Sequence, residues 1–113
     1  MNLQPIVKTL MLIGFLRMDS QVYLHLAVMG PQCVKNIATA LNMPTSSVYR
    51  SLNSLKEKQA VNLVHPRPFV FSATPFDEVL DRFKRITLDD AQRIEDKKRE
   101  ALAIWQSITS QSN

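Results

Sequence analysis

Three residues, Asn42, Met43 and Pro44, separate two amphipathic helical stretches in the middle of this chain, and so short a link restricts the folds open to it. In the first stretch, CVKNIATALN, the apolar residues Val34, Ile37, Ala38 and Leu41 recur at i, i+3, i+4 and i+7, while Lys35, Asn36 and Thr39 face outward. In the second, TSSVYRSLNSLKEKQAV, the inward stripe is Val48, Leu52 and Leu55. Asparagine readily takes the left-handed conformation that ends a helix, and the residue before a proline avoids the helical region, so Asn42 to Pro44 forms a sharp turn. Two helices so joined form a helix-turn-helix.

The flanking segments complete the pattern. A helix is expected from Arg17 to Met29, stopped by Gly30 and Pro31; Met18, Val22, Leu26 and Met29 make one stripe, and Tyr23, Leu24 and Val28 put apolar groups on other sides, which implies cover on more than one face. Before it, TLMLIGFL (residues 9–16) is too short to span a bilayer and carries no cleavage pattern, so it is expected to be a buried helix. Ile6, Leu10 and Ile13 share a face there, with Leu3 and Val7 alongside. After Ala60 the period becomes extended: VNLVH (61–65) and FVFSA (69–73) flank Pro66 to Pro68 and predict a two-stranded hairpin with Arg67 at its tip. A final helical region opens at TPFDEVLDRFKR, with Asp77 and Glu78 in the first turn, where the helix dipole favours acids. Phe76, Leu80 and Phe83, then Ile94, Ala101, Ile104 and Ile108, keep a heptad-like rhythm. Whether TLDD (87–90) caps a second helix stays open, and the closing SQSN is expected to fray.

The fold class is therefore mainly α with a small β-hairpin: a winged helix-turn-helix with an N-terminal helix over residues 1–75, and a long C-terminal helical dimerisation region over 76–113. Charge divides the same way. Residues 1–75 carry a net +5 and residues 76–113 a net −1, within a chain of net +4. An acid-poor, basic N-terminal part suits a polyanionic partner, and a balanced tail suits a solvated helix with internal pairs. Two glycines leave no phosphate-cradling loop, and a single cysteine with two histidines gives neither a disulfide nor metal-ligand spacing. No enzyme activity, cofactor or metal is expected. His25, on an apolar helix, is expected to be structural; Cys33 is expected to be buried or near a cap. The expected setting is cytoplasmic and nucleoid-associated, with no membrane contact.

In a winged helix-turn-helix the second helix of the motif can enter a DNA major groove while the hairpin lies beside the backbone. Opposite the core stripe of that helix stand Ser46, Arg50, Asn53 and Glu57. Arginine can be bidentate to guanine and asparagine to adenine, whereas Glu57 is repelled by phosphate, so the reading surface is the first two turns, Thr45 to Asn53. Lys56, Glu57 and Lys58 are expected to form a solvated end. Tyr49, Lys56, Ser47, Lys35 and Arg67 suit backbone contacts, and amides at the helix start favour phosphate.

From Gly14 to about Leu80 the chain resembles, without a gap, the DNA-binding domain of the TrmB-type transcriptional regulators of archaea and bacteria. The matching stretches are VYLHLAVMGP, IATALNMPTSSVYRSLNSLKEKQAV, RP in the wing, and ATPFDEVL. The resemblance implies a dimeric winged-helix DNA binder with Thr45, Ser46, Ser47, Tyr49 and Arg50 on the recognition helix and Arg67 on the wing. Three positions depart from the family pattern. Gln59 stands where a glycine usually ends the recognition helix, Cys33 replaces a serine or threonine at the start of the preceding helix, and Phe69 and Val70 occupy wing positions that are commonly basic. Larger members carry a C-terminal effector domain, often for sugars; the sequence ends after its helix, so no small-molecule effector is indicated.

Trp105, Ile104 and Ile108 are too apolar for an exposed tail, and a homodimer interface is expected to cover them together with Phe83, Ile94 and Ala101, completed by Leu3, Ile6, Leu10 and Ile13. Two-fold symmetry would present two recognition helices to half-sites about 34 Å apart. The alternative is a winged-helix protein interaction module within transcription machinery that reads no bases.

Overall fold

The computed structural model describes residues 2–110, so the SQSN end, Ser110 apart, lies outside the described residues. Its elements in chain order are α1 (Gln4–Leu12), α2 (Arg17–Met29), β1 (Gln32–Cys33), α3 (Val34–Leu41), α4 (Thr45–Glu57), β2 (Val61–Pro66), β3 (Phe69–Ala73) and α5 (Phe76–Ser110). The chain divides into two units, residues 1–79 and 80–113.

The first unit is the winged helix-turn-helix. Its core gathers one face from each element: Leu10, Phe15, Val22, Tyr23, Leu26, Val34, Ile37, Val48, Leu52, Leu55, Val61 and Phe71, joined by Val79 from the first turn of α5. The apolar run at 9–16 is not one buried helix. α1 stops at Leu12, which is 84% exposed, and Gly14 at φ 103° reverses the chain so that Phe15 turns back into the core. Leu10 is fully buried by its own chain, which leaves it no surface for a second copy and removes it from the expected dimer interface; Ile6 and Ile13 pack half-buried against the same core. On α2 the inward face is Asp19, Ser20, Val22, Tyr23 and Leu26, while Met18, Val28 and Met29 are exposed. The expected stripe was thus rotated, because the buried Asp19 and Ser20 lie on the core side. Asp19 Oδ2 has no hydrogen-bond partner among the described residues; its place in the first turn of α2 sets the carboxylate at the positive end of the helix dipole.

Both helices of the central motif end in the same way. Asn42 (φ 53°, ψ 49°) and Gln59 (φ 57°) are left-handed. At each, the next amide reaches back to the helix, Met43 N–H to the Ala38 carbonyl at 2.9 Å and Ala60 N–H to the Leu55 carbonyl at 2.8 Å, a pairing that satisfies otherwise orphaned carbonyls. Asparagine tolerates this conformation; glutamine gains nothing from it. Cys33, the N-cap of α3, makes no side-chain cap hydrogen bond.

The sheet has three strands in the order β1-β3-β2, not two. β1 pairs antiparallel with β3 through Gln32 opposite Phe71 and Cys33 opposite Val70. β2 and β3 form the expected wing, with a register irregularity between Leu63 and His65. Thr74, just after β3, is the polar junction of this unit. Its carbonyl accepts the Tyr23 hydroxyl, its amide donates to the Ala60 carbonyl at 2.8 Å, and its hydroxyl donates to the Gln59 carbonyl at 2.8 Å and accepts Asn62 Nδ2 at 3.2 Å. Burial pushes the Tyr23 phenol up to about 12, with the Asp77 carboxylate adding to the effect.

α5 settles the question left open by TLDD: Phe76 to Ser110 is one helix of 35 residues. Polar side chains along it pair locally: Arg93 forms an ion pair with Asp90 at 2.6 Å, and Gln92 Nε2 donates to Asp96 Oδ1 at 2.8 Å.

Tyr23→Phe should cost about 1 to 2 kcal/mol in denaturant unfolding, since it strands the Thr74 carbonyl. A folded-state value above the ordinary tyrosine value of 10.0 means that Tyr23 contributes its stability in full below pH 10 and loses it as pH rises through about 12. Stability of the parent chain should therefore fall more steeply across that window than that of Tyr23→Phe. Gln59→Gly should raise stability by up to about 1 kcal/mol, because glycine carries no penalty at positive φ; a loss on the same denaturation curve would show that the Gln59 side chain compensates.

Candidate nucleic-acid interface

The structure sorts α4 cleanly into two faces. Val48, Ser51, Leu52 and Leu55 are buried, and Thr45, Ser46, Tyr49, Arg50, Asn53, Lys56 and Glu57 are exposed. Ser46, Arg50 and Asn53, at i, i+4 and i+7, share the direction away from the core, as their spacing predicts. Ser47 is half-buried at the edge of that face. Ser51, which the apolar periodicity does not mark, is 3% exposed, and its small volume is what lets it sit among the core residues of α4.

The start of α4 is open. Its N-cap is Pro44, which makes no side-chain cap hydrogen bond; the Pro44 carbonyl takes the Ser47 and Val48 amides at 3.0 and 3.2 Å. The Thr45 and Ser46 amides thus point out of the first turn at the positive end of the helix dipole, where a phosphate oxygen is a natural acceptor. No acidic residue occupies that turn.

The remaining candidates lie on other elements. Lys35 is exposed on α3, and Arg67 is exposed in the two-residue turn between β2 and β3. Lys58 is more than a solvated end: its ammonium lies 5.8 Å from the Phe15 ring centroid and donates to Ser54 Oγ at 3.2 Å, tying the end of α4 to the segment after α1. The wing itself is apolar as well as basic. Leu63, Val64 and Phe69 are 40%, 54% and 45% exposed, and they share the hairpin with a single arginine.

His25 is half-buried, with Nε2 2.8 Å from Gln32 Oε1, a contact that holds β1 to α2. Among the described residues no cluster of histidine, cysteine and acidic side chains could hold a metal ion, and no helix is long and apolar enough to cross a membrane.

A helix-turn-helix followed by a β-hairpin wing in a three-stranded sheet, with an open and acid-free start to its second helix, is the fold of the DNA-binding domain of a winged-helix transcription regulator. The family model described as "Sugar-specific transcriptional regulator TrmB" matches residues 10–77, more than half of the chain, and the chain belongs to the TrmB family. It is 25% identical over 91 residues to the HTH-type sugar sensing transcriptional regulator TrmBL1 of Pyrococcus furiosus, an alignment that covers 80% of this chain and 27% of that protein. Among solved structures, TrmBL2, described as an archaeal chromatin protein with a novel mode of DNA binding, superposes with a TM-score of 0.85 at 16% identity, over 97% of this chain and 43% of that one. A possible transcriptional regulator from Methanosarcina mazei Go1 follows at 0.64 and 14% identity, covering 81% and 83%. The chain therefore spans about a quarter of TrmBL1 and less than half of TrmBL2.

Arg50→Ala should relax the preference for one duplex sequence over another, costing about 1 to 3 kcal/mol on the preferred site and less on random DNA. Arg67→Ala should weaken all duplexes alike. Fluorescence anisotropy with specific and scrambled duplexes checks both, and equal losses for Arg50→Ala on the two would remove it from base reading.

Proposed function

We propose that the chain binds double-stranded DNA sequence-specifically as a homodimeric transcription regulator, with α4 in the major groove and the wing beside the backbone. One observation carries this reading: the first two turns of α4 present Thr45, Ser46, Tyr49, Arg50 and Asn53 to solvent above a buried opposite stripe, with an uncapped helix start. Ser46, Arg50 and Asn53 meet base edges. Thr45, Ser47, Tyr49, Lys35, Lys56 and Arg67 hold the backbone. The chemistry is binding alone, with no catalytic step.

The exposed apolar wing residues Leu63, Val64 and Phe69 support a second reading, a winged-helix module that docks on another protein without reading bases. Salt separates the two. Three backbone cations per copy, Lys35, Lys56 and Arg67, give a slope of log Kobs against log salt of about −5 for a dimer. A flat response, or no duplex binding at low salt, would leave the docking module as the account.

A further inference from the structure

Every residue of α5 from Phe83 to Ser110 is exposed, including Phe83 (37%), Ile94 (70%), Ile104 (55%), Trp105 (61%) and Ile108 (60%). A helix gains most of its stability by covering its apolar stripe, and within residues 80–110 this one has no other element to cover it. The stripe follows a heptad with its first positions at Leu80, Thr87, Ile94, Ala101 and Ile108 and its fourth at Phe83, Asp90, Lys97 and Ile104. Because α5 is unbroken, this register holds along its full length.

The polar members of the stripe choose the orientation. In a parallel pair each residue faces itself, so Asp90 meets the partner's Asp90 and Lys97 meets the partner's Lys97, while the flanking Arg93 lies against the partner's Lys98. All three contacts are repulsive. In an antiparallel pair first positions face fourth positions. One register sets Ile94 against the partner's Lys97, Ala101 against the partner's Asp90, Ile104 against the partner's Thr87, and Ile108 against the partner's Phe83. Its flanks then place Arg93 beside the partner's Glu100 and Lys84 beside the partner's Trp105, both attractive. A shift of one heptad in either direction brings like charges together, Arg93 on the partner's Arg93 in one case and Glu100 on the partner's Glu100 in the other.

Resting on the homodimer reading above, we infer that α5 pairs antiparallel with α5 of a second copy, in the register that opposes Arg93 to the partner's Glu100. The occupant of the stripe is thus the same helix reversed. Antiparallel pairing keeps the two-fold symmetry that a regulator needs to meet two half-sites.

The test uses the full chain in a Cys33→Ser background, with sedimentation fixing the oligomeric state. Ala101→Cys should form a disulfide with Asp90→Cys in mixed samples and none with itself, because a core layer brings the two positions within bridging reach. Arg93→Glu should raise the dimer dissociation constant about five- to tenfold, and adding Glu100→Arg should restore it. A dimer in which Ala101→Cys bridges to itself, or which Arg93→Glu tightens, is parallel and overturns the inference while leaving the homodimer intact. A dimer with neither bridge overturns the register. A chain that stays monomeric removes the homodimer reading itself.

Discussion

The Tyr23 hydroxyl, donated to the Thr74 carbonyl, is the interaction on which the first unit depends. Tyr23 is 1% exposed in the middle of α2, and a phenol so buried needs its partner. The partner belongs to a residue that already binds Gln59 at the end of α4, Ala60 beyond it, and Asn62 on β2. One threonine therefore fixes where α4 ends, where the wing begins, and how both stand against α2. Phe15, edge-on to Tyr23 with ring centroids 6.3 Å apart, and Lys58 above Phe15 extend the same knot to the segment after α1.

That arrangement explains why the outer face of α4 can be polar and bare. α4 is held from behind by Val48, Leu52 and Leu55 and at its end by the left-handed turn at Gln59, so its front needs no intrachain contacts to stay in place. Ser46, Arg50 and Asn53 are left exposed, and the helix start carries no side-chain cap. A site built on a packed helix is held more firmly than one on a loop. The wing is steadied from the other side by β1, whose Gln32 also binds His25.

Much of this was legible in the sequence because periodicity reports burial directly. α3 and α4, their three-residue link, the left-handed Asn42, and both wing strands follow from apolar spacing and turn residues. What escaped has physical reasons. β1 is two residues long and cannot show a period. Leu12 and Leu16 are apolar yet exposed because Gly14 at positive φ turns the chain between them, and hydropathy alone does not register a reversal. Asp19 and Ser51 lie on the core side of their helices, where a polar residue breaks the stripe that sequence reasoning follows. The continuity of α5 through TLDD could not be read locally, since a threonine followed three residues on by an acid suits a cap and a helix interior equally. For the candidate site, spacing anticipated which side chains of α4 face away from the core; the apolar character of the wing was visible in Phe69 and Val70, but its extent to Leu63 and Val64 needed the structure.

The central claim is that the outer face of α4 meets the grooves of duplex DNA. Titrating a labelled sample of the full chain with a selected duplex, and following backbone amide resonances, tests it most directly. The account predicts the largest shifts at residues 45–53, led by the Thr45 and Ser46 amides, with a second set around Arg67. Shifts confined to the wing and α2, with α4 unmoved at saturation, would contradict it.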